Sequence, residues 1–198
     1  MLRDLFLKCL RAEYTHKNGA SYAMLYDGAA LTLLFEDSNG AVDWRRNLDF
    51  AVQQYEGALV HRGFLSAFLA VEREVSEAIA SPALRRLIIA GYSHGGALAV
   101  LCHAHAYRLR PDLRAHTVSV TYGAPRVYRQ VPFDSEEMFA RLLRVENKGD
   151  LVTDLPPKHF GFSHVGKALA IGEKGKYGPL SAHASESYLN ELAQLGFD

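Results

Sequence analysis

The sequence has little of the features that mark several large classes of protein. Only two cysteines occur in 198 residues, Cys9 and Cys102, and their spacing matches neither a metal site nor a redox motif. We expect them to be buried free thiols in a reducing compartment. Basic and acidic residues both number 22, so the formal net charge is zero. Because a nucleic-acid-binding protein carries a basic excess, nucleic acid is not expected as a partner.

Long apolar runs are absent as well, so no transmembrane segment is expected. Charges interrupt the apolar residues of segment 1–8, which therefore lacks the continuous core of a secretion signal. These residues are instead predicted to begin a short amphipathic helix that ends near Tyr14. These features favour a cytoplasmic location, and export without a cleavable signal would leave the same pattern.

The remaining composition is that of an ordinary globular protein, with 48% hydrophobic and 22% charged residues. A chain of this length is expected to form one domain, residues 1–198, around a single core. Runs predicted to be strands alternate with runs predicted to be helices. This order indicates the α/β class, with a central, mostly parallel sheet covered by helices on both faces.

Strands are predicted where short apolar runs carry β-branched or aromatic residues. The first two runs are joined by Asp27 and Gly28, which indicates a hairpin. An extended segment is predicted over residues 50–59, and a glycine-interrupted strand or hairpin over residues 165–177. The strands predicted for the central sheet are residues 21–26, 30–35, 87–90, 117–122 and 141–146.

Helices are predicted where apolar residues recur at helical spacing. Pro82 and Pro111 end the first two of them, because proline cannot continue a helix. One or two helical turns are also predicted at residues 42–48. The three longer helices are predicted over about residues 65–80, 96–109 and 181–195.

The strongest functional signal follows the predicted strand at residues 87–90. Residues 91–95 read Gly-Tyr-Ser-His-Gly and fit the Gly-x-Ser-x-Gly pattern of a nucleophile elbow. A strand before the pattern and a small-residue helix after it are the context that this sharp turn needs, and the glycines leave room for it. The simpler alternative is a glycine turn in which Ser93 only caps the helix. We interpret Ser93 as a nucleophile.

A serine hydroxyl needs an imidazole to accept its proton and an acid to orient that imidazole. After an elbow serine, the expected chain order is the acid and then the histidine. Asp150 directly follows a predicted strand and is favoured over Asp154, which lies beside two prolines. Among the later histidines, position modestly favours His183 over His159 and His164.

Other polar residues have weaker claims to a role. His103 and His105 point to different sides of a predicted helix, so they are poor metal ligands and no metal site is expected. The backbone N–H of His94 is one expected donor of an oxyanion hole. Ser38 is the candidate for the second donor, and a turn residue or a helix cap is the alternative interpretation of this serine.

Several of these segments occur together, in the same order, in one family. They are Phe-Glu-Asp-Ser at 35–38, Val-His-Arg-Gly-Phe at 60–64, Gly-Tyr-Ser-His-Gly-Gly at 91–96, Thr-Tyr-Gly-Ala-Pro-Arg-Val at 121–127, Asp-Leu-Val-Thr-Asp-Leu-Pro-Pro at 150–157, and Ala-His at 182–183 followed by Tyr188. With these segments the chain resembles the class 3 lipases, the fungal-type triacylglycerol lipases and feruloyl esterases of the α/β-hydrolase superfamily. The resemblance implies an α/β-hydrolase fold and a triad of Ser93, Asp150 and His183. It also implies that Ser38 is the second oxyanion residue and that His164 lies outside the triad.

Two departures from the family's pattern lie beside the candidate oxyanion serine. Asp37 stands where the family has a glycine, and Glu36 stands where it has an arginine. A carboxylate at this place could disfavour a nearby oxyanion, point to solvent or hold a loop.

The segment after Ser38 occupies the place of the family's lid. Val42, Trp44 and Leu48 are candidates for covering an apolar site and for transient contact with a lipid surface. The polar residues 45–47 make a fixed flap beside a soluble-ester site equally compatible with the sequence.

The sequence thus predicts a serine hydrolase that cleaves carboxylic esters through an acyl-enzyme, without a metal or an organic cofactor. Acyl esters of glycerolipids or related compounds are the expected substrates, and phospholipid, feruloyl or thioester substrates would use the same residues. A catalytically silent lipid- or protein-binding module could share the fold. The presence of all three triad residues argues against such a module, and Asp37 is the feature in its favour.

Overall fold

The centre of the molecule is a sheet, seen in a computed structural model that describes residues 1–36 and 50–196. The strands found in these two ranges are numbered in chain order: β1 (Thr15–Lys17), β2 (Ala20–Asp27), β3 (Ala30–Phe35), β4 (Val52–Tyr55), β5 (Ala58–His61), β6 (Arg86–Tyr92), β7 (Thr117–Tyr122), β8 (Tyr128–Gln130), β9 (Leu142–Asn147) and β10 (Lys167–Ile171).

The strands form a large sheet in the order β1-β2-β3-β6-β7-β9-β10 and a small one in the order β4-β5-β8. In the large sheet, the pairs from β3 to β10 are parallel, and β1 and β2 are added antiparallel at one edge. The small sheet is antiparallel throughout. A mostly parallel central sheet is the architecture expected from the alternating strands and helices, so the predicted fold class is confirmed.

Helices cover both faces of the large sheet. In chain order they are α1 (Leu2–Arg11), α2 (Arg62–Leu69), α3 (Glu72–Ile79), α4 (His94–Leu109), α5 (Ser135–Met138), α6 (Pro179–His183) and α7 (Ser185–Gln194), with 3-10 turns at Pro111–His116, Leu151–Asp154 and Lys158–Phe160. No helix in the described ranges is long and apolar enough to cross a membrane.

The core divides into two layers because side chains alternate across the pleated strands. On β3, Leu31 and Leu33 belong to the layer that contains α2, α3 and α4, whereas Leu34 belongs to the layer that contains α1 and α7. The two cysteines are free and buried, one in each layer, as predicted. The central strands are therefore buried on both faces, which explains their nearly continuous apolar sequences.

Two predicted helices are wrong in extent, because each is interrupted. The helix predicted over about residues 65–80 is divided into α2 and α3 at Ala70 and Val71, and α2 already begins at Arg62. Val71 is fully buried, so the apolar spacing continues across the break and conceals it in the sequence. The last predicted helix is divided into α6 and α7 at Ala184, whose backbone is extended (φ −59°, ψ 141°).

One extended segment differs from its prediction, and for a second the structure has the strand rather than the hairpin of the two predicted alternatives. Residues 50–59 contribute to a hairpin of β4 and β5, whose turn at Glu56 and Gly57 has positive φ at both positions. Within residues 165–177 the structure has a single strand, β10, parallel to β9. The helical turns predicted at residues 42–48 lie outside the described residues.

His103 of α4 is buried between two hydrogen-bonding partners. Its Nδ1 lies 2.6 Å from Ser119 Oγ, and its Nε2 lies 2.7 Å from the carbonyl oxygen of Met138. Because a carbonyl oxygen only accepts, Nε2 donates, and the Ser119 hydroxyl donates to Nδ1 of a neutral ring. Burial lowers the pKa of His103 from 6.5 to about 4, so the folded protein keeps this ring uncharged.

We expect His103 to make the protein less stable as the pH falls. The unfolded chain protonates this histidine below about pH 6.5, whereas the folded chain does so only near about pH 4. Within this window the ring should lower the free energy of unfolding by up to about 1.4 kcal/mol per pH unit of acidification. Urea unfolding at several pH values should give a shallower dependence for His103→Gln than for the wild type, and an identical dependence would contradict the assignment.

Candidate active site

The turn between β6 and α4 presents Ser93 in an unusual backbone conformation. Ser93 has φ 55° and ψ −120°, in a region that residues with a side chain rarely adopt. Its backbone N–H donates to the carbonyl oxygen of Tyr122 on the adjacent β7 at 2.9 Å. A Cβ on Gly91 would collide with the carbonyl group of Gly95, and a Cβ on Gly95 would collide with that of Phe35. Glycine is therefore required at both positions for the turn to form.

Three side chains form a continuous line of hydrogen bonds at this turn. Ser93 Oγ lies 2.8 Å from Nε2 of His183, and Nδ1 of His183 lies 2.8 Å from Oδ2 of Asp150. All three residues are buried. Ser93 follows β6 and Asp150 follows β9, while His183 is the last residue of α6, so the three meet beyond the carboxyl ends of the parallel strands.

Asp150 is held by further donors. Its Oδ1 accepts from the backbone N–H of Val152 at 2.8 Å, and its Oδ2 accepts from the hydroxyl of Tyr188 at 2.7 Å. The Tyr188 oxygen in turn accepts from the backbone N–H of Asn147 at 3.0 Å. Burial and the neighbouring Asp150 charge raise the pKa of Tyr188 well above its usual value, so the phenol remains a donor. The carboxylate is thereby fixed in the orientation that receives the imidazole.

His183 is fixed on its other sides. The ring of Tyr92 stacks on the imidazole with centroids 5.2 Å apart, and the Tyr92 hydroxyl donates to the backbone carbonyl of His183. The Asn147 side chain donates to the preceding carbonyl, that of Ala182, at 3.0 Å. The backbone of Gly123 lies close to both side chains: a Cβ added at this position would be 3.0 Å from Asp150 Oδ2 and 3.0 Å from His183 Cε1.

The alternative acid and base candidates lie elsewhere in the structure. Asp154 pairs with Arg126 at 2.7 Å, and its side chain is 74% exposed. His164 Nε2 donates to the carbonyl of Thr153 at 2.8 Å, and burial lowers the pKa of His164 to about 3. His159 is exposed on a 3-10 turn. The structure therefore brings together Ser93, Asp150 and His183, and places the other candidates outside this line of hydrogen bonds.

Of the two predicted oxyanion-hole donors, the backbone N–H of His94 lies within the described residues. His94 is the first residue of α4, so its backbone N–H lies directly after Ser93, where an elbow supplies its first donor. The His94 side chain is buried next to Phe64, with ring centroids 5.6 Å apart. Burial, with a smaller effect of His61, lowers the pKa of His94 to about 4, so the ring is neutral near pH 7.

Several predicted site residues fall in the gap between residues 36 and 50. The candidate oxyanion donor Ser38, its neighbour Asp37 and the lid candidates Val42, Trp44 and Leu48 all lie outside the described residues. Within the described ranges, no group of three or more histidine, cysteine, aspartate or glutamate side chains is arranged to hold a metal ion.

Three residues that hold the site were not assigned a role from the sequence: Tyr92, Asn147 and Tyr188. In the sequence, Tyr188 appears only as part of a family segment. Its place five residues after His183 is the one sequence signal for its contact with Asp150. Tyr92 is a variable position within the elbow pattern. A buried hydroxyl, imidazole and carboxylate in this order can activate the hydroxyl for nucleophilic attack, because the imidazole can accept its proton.

Comparison with known proteins shows the family of the chain. The family described as Lipase (class 3) matches residues 32–160. A lipase from Rhizopus niveus is 32% identical over 143 residues, which cover 68% of this chain and 36% of that protein. The chain therefore belongs to the class 3 lipase family, although it spans well under half the length of this curated relative.

Solved structures give the same result for the fold. Lipase II from Rhizopus niveus superposes with a TM-score of 0.66 at 26% identity, covering 80% of this chain and 66% of that one. The triacylglyceride lipase of Rhizomucor miehei superposes with a TM-score of 0.69 at 24% identity, covering 81% and 67% of the two chains. These neighbours have the α/β-hydrolase fold, which is thus the fold of this chain.

The close approach of Gly95 to Phe35 leads to a stability prediction. Gly95→Ala should destabilise the protein by at least about 1–3 kcal/mol, because a methyl group would push β3 away from the elbow. Gly178→Ala is the matched control: its φ is −66° and nothing lies within 4 Å of the added Cβ. Urea unfolding of both variants measures the difference, and equal stability would show that the elbow can relax.

The contact between Tyr188 and Asp150 leads to a second prediction. Tyr188→Phe removes one donor from the carboxylate and leaves the buried N–H of Asn147 without its acceptor. We expect a fluorophosphonate probe to label Ser93 about tenfold more slowly, as for the loss of about 1.4 kcal/mol of transition-state stabilisation. Tyr177→Phe is the control, since its hydroxyl bonds Glu191 instead. Equal labelling rates in the two variants would exclude a role for Tyr188 in holding Asp150.

Proposed function

We propose that this chain is a serine hydrolase that cleaves carboxylic esters. The observation that carries the proposal is the continuous line of hydrogen bonds from Ser93 through His183 to Asp150 at a strained elbow. Ser93 is the nucleophile in this proposal, His183 is the general base, and Asp150 holds the imidazole in the required tautomer. Membership of the class 3 lipase family supports the assignment.

The reaction follows from these positions. As Ser93 Oγ attacks the ester carbonyl carbon, its proton passes to Nε2 of His183, and the carbonyl oxygen becomes an oxyanion. The backbone N–H groups of His94 and Ser38 stabilise that charge in the proposal. The imidazolium then donates its proton to the departing alcohol, which leaves an acyl-enzyme. Water, deprotonated by the same histidine, releases the acid and restores Ser93.

We propose acyl esters of glycerolipids as the substrate class. The matched relatives are lipases, and one structural neighbour is named a triacylglyceride lipase. Two exposed leucines flank the site: Leu151, 46% exposed, directly follows Asp150, and Leu180, 65% exposed, lies three residues before His183. They would contact an acyl chain or a lipid surface when substrate is bound. In the same proposal, Val42, Trp44 and Leu48 are the candidate residues for contact with the substrate.

Hydrolysis of p-nitrophenyl esters of increasing acyl length would test the proposal. Wild-type protein should hydrolyse these esters, and Ser93→Ala and His183→Ala should each lower kcat by at least about 10³-fold. His164→Ala is the matched control for loss of a buried histidine. It should keep most of its activity, because the His164 Nε2 lies 2.8 Å from the Thr153 carbonyl oxygen and 3.6 Å from Glu146 Oε1, and not next to Ser93 or Asp150.

The result also distinguishes the binding-module alternative. If the folded wild type is inactive on every ester and Ser93 is not labelled by a fluorophosphonate, the hydrolase proposal fails. A rate that rises with acyl length would support a lipid substrate, whereas a preference for acetate or butyrate would reject glycerolipids with long chains.

A further inference from the structure

A groove opens on the α1 face of the large sheet. Its volume is about 570 Å³, within the range of small-molecule sites. Its floor is apolar and consists of sheet residues such as Ile88 and Val118, and Leu5 of α1 forms one wall. None of the residues that form the proposed active site lines it.

The groove exists because α1 covers only part of the sheet. Leu34, Ala90 and Val120 form one cross-strand row that is buried under α1. The next row on the same face, Thr32, Ile88 and Val118, is paired in register but is not fully covered. Val118 remains 38% exposed, which is unusual for valine in the middle of a sheet.

Basic side chains surround this apolar floor. Lys8, Arg86 and Arg141 line the groove, and within the described residues none of them forms an ion pair. The acidic residue at the groove, Asp4, pairs with the terminal amine of Met1 at 3.0 Å. The groove therefore combines an apolar surface with uncompensated positive charge.

The two arginines belong to the same face as the floor. Arg86 is two residues before Ile88 on β6, so both side chains leave the same side of the sheet. Arg141 directly precedes β9 and lines the groove, and its Nε donates to the carbonyl oxygen of Thr117 at 3.1 Å. An extended apolar chain lying across Ile88 and Val118 would therefore meet a guanidinium group.

The groove is remote from Ser93. Ile88 precedes Ser93 by five residues along the extended β6, a separation of roughly 16 Å at strand spacing. The groove also lies toward the amino ends of the parallel strands, whereas Ser93, His183 and Asp150 meet at the carboxyl ends. A ligand in the groove would not touch the reacting atoms.

We propose that this groove is a second binding site for a long-chain fatty carboxylate. The alkyl chain would lie on Ile88, Val118 and Leu5, and the carboxylate would accept hydrogen bonds from Arg86 and Arg141. An arginine guanidinium can donate two parallel hydrogen bonds to one carboxylate, and it is matched in charge by the anion. A neutral lipid would leave the basic residues unpaired, and a hydrophilic anion would leave the apolar floor exposed.

Calorimetric titration of dodecanoate into Ser93→Ala protein would test the site. Arg86→Glu and Arg141→Glu should each weaken binding at least tenfold, and Val118→Asp should abolish it by placing a charge on the floor. Lys174→Glu is the matched control, because it makes the same charge change on an exposed residue after β10, at the other end of the sheet. Arg86→Glu and Lys174→Glu change exposed residues and should leave thermal stability unchanged. Arg141→Glu removes the hydrogen bond to the Thr117 carbonyl, so thermal unfolding must show that this variant and Val118→Asp are folded before their binding is compared.

Two further arms separate the possible sources of binding. Dodecanoate should still bind after a fluorophosphonate has blocked the active site of the wild-type protein, and dodecyltrimethylammonium should bind more weakly than dodecanoate. Binding that disappears on blocking Ser93, or that is unaffected by both arginine variants, would overturn the proposal. So would a dimer, seen by sedimentation, that Val118→Asp dissociates, since the face would then belong to a second copy. Binding to Ser93→Ala protein does not require turnover. The result of this test is therefore independent of whether the chain is a hydrolase.

Discussion

The strained backbone at Ser93 is the constraint on which the rest of the site depends. A serine with φ 55° costs conformational energy, of the order of 1–3 kcal/mol, which the surrounding packing must supply. Strands β6 and β7 and helix α4 provide that packing, since most of their side chains are buried. Close approach of Gly91 and Gly95 is the geometric condition that lets strand and helix meet at so sharp a turn.

The histidine and the acid are positioned by different means. Neither lies inside a central strand, so each is fixed by side chains from neighbouring elements. Tyr92 from β6 holds His183 by its ring and its hydroxyl, and Tyr188 from α7 holds Asp150. Asn147, at the end of β9, bonds both the Tyr188 hydroxyl and the backbone before His183. These hydrogen bonds fix one arrangement of the buried site, and Asn147 Oδ1 is the atom of this network that has no hydrogen-bond partner among the described residues.

The sequence indicates those features that depend on residues close together in the chain. The elbow at Ser93 is a local pattern of strand, glycine, serine, glycine and helix, and Asp150 directly follows a strand. The role of Tyr188 is harder to predict, because its hydroxyl bonds a backbone N–H 41 residues earlier, and its spacing of five residues from His183 is the one local signal. The break between α2 and α3 is not visible in the sequence, because Val71 is apolar and buried like Phe68 and Val75. Their spacing of three and four residues is that of a continuous helix.

Helix α1 packs against the residues that position His183 and Asp150. Phe6 on its buried face contacts the rings of Tyr92, Tyr122 and Tyr188, at centroid distances of 5.3, 4.5 and 5.8 Å. Two of these tyrosines hold His183 and Asp150, so an N-terminal residue far from Ser93 in sequence supports the packing beneath the proposed triad.

The same helix also sets the limit of the covered surface. With ten residues it is about 15 Å long, and its apolar face buries one cross-strand row but not the next. Its flank, including Leu5, becomes the wall of the groove. Because the helix that stabilises the reactive end of the sheet is too short to cover the other end, a buried site and an open apolar surface coexist on one small sheet.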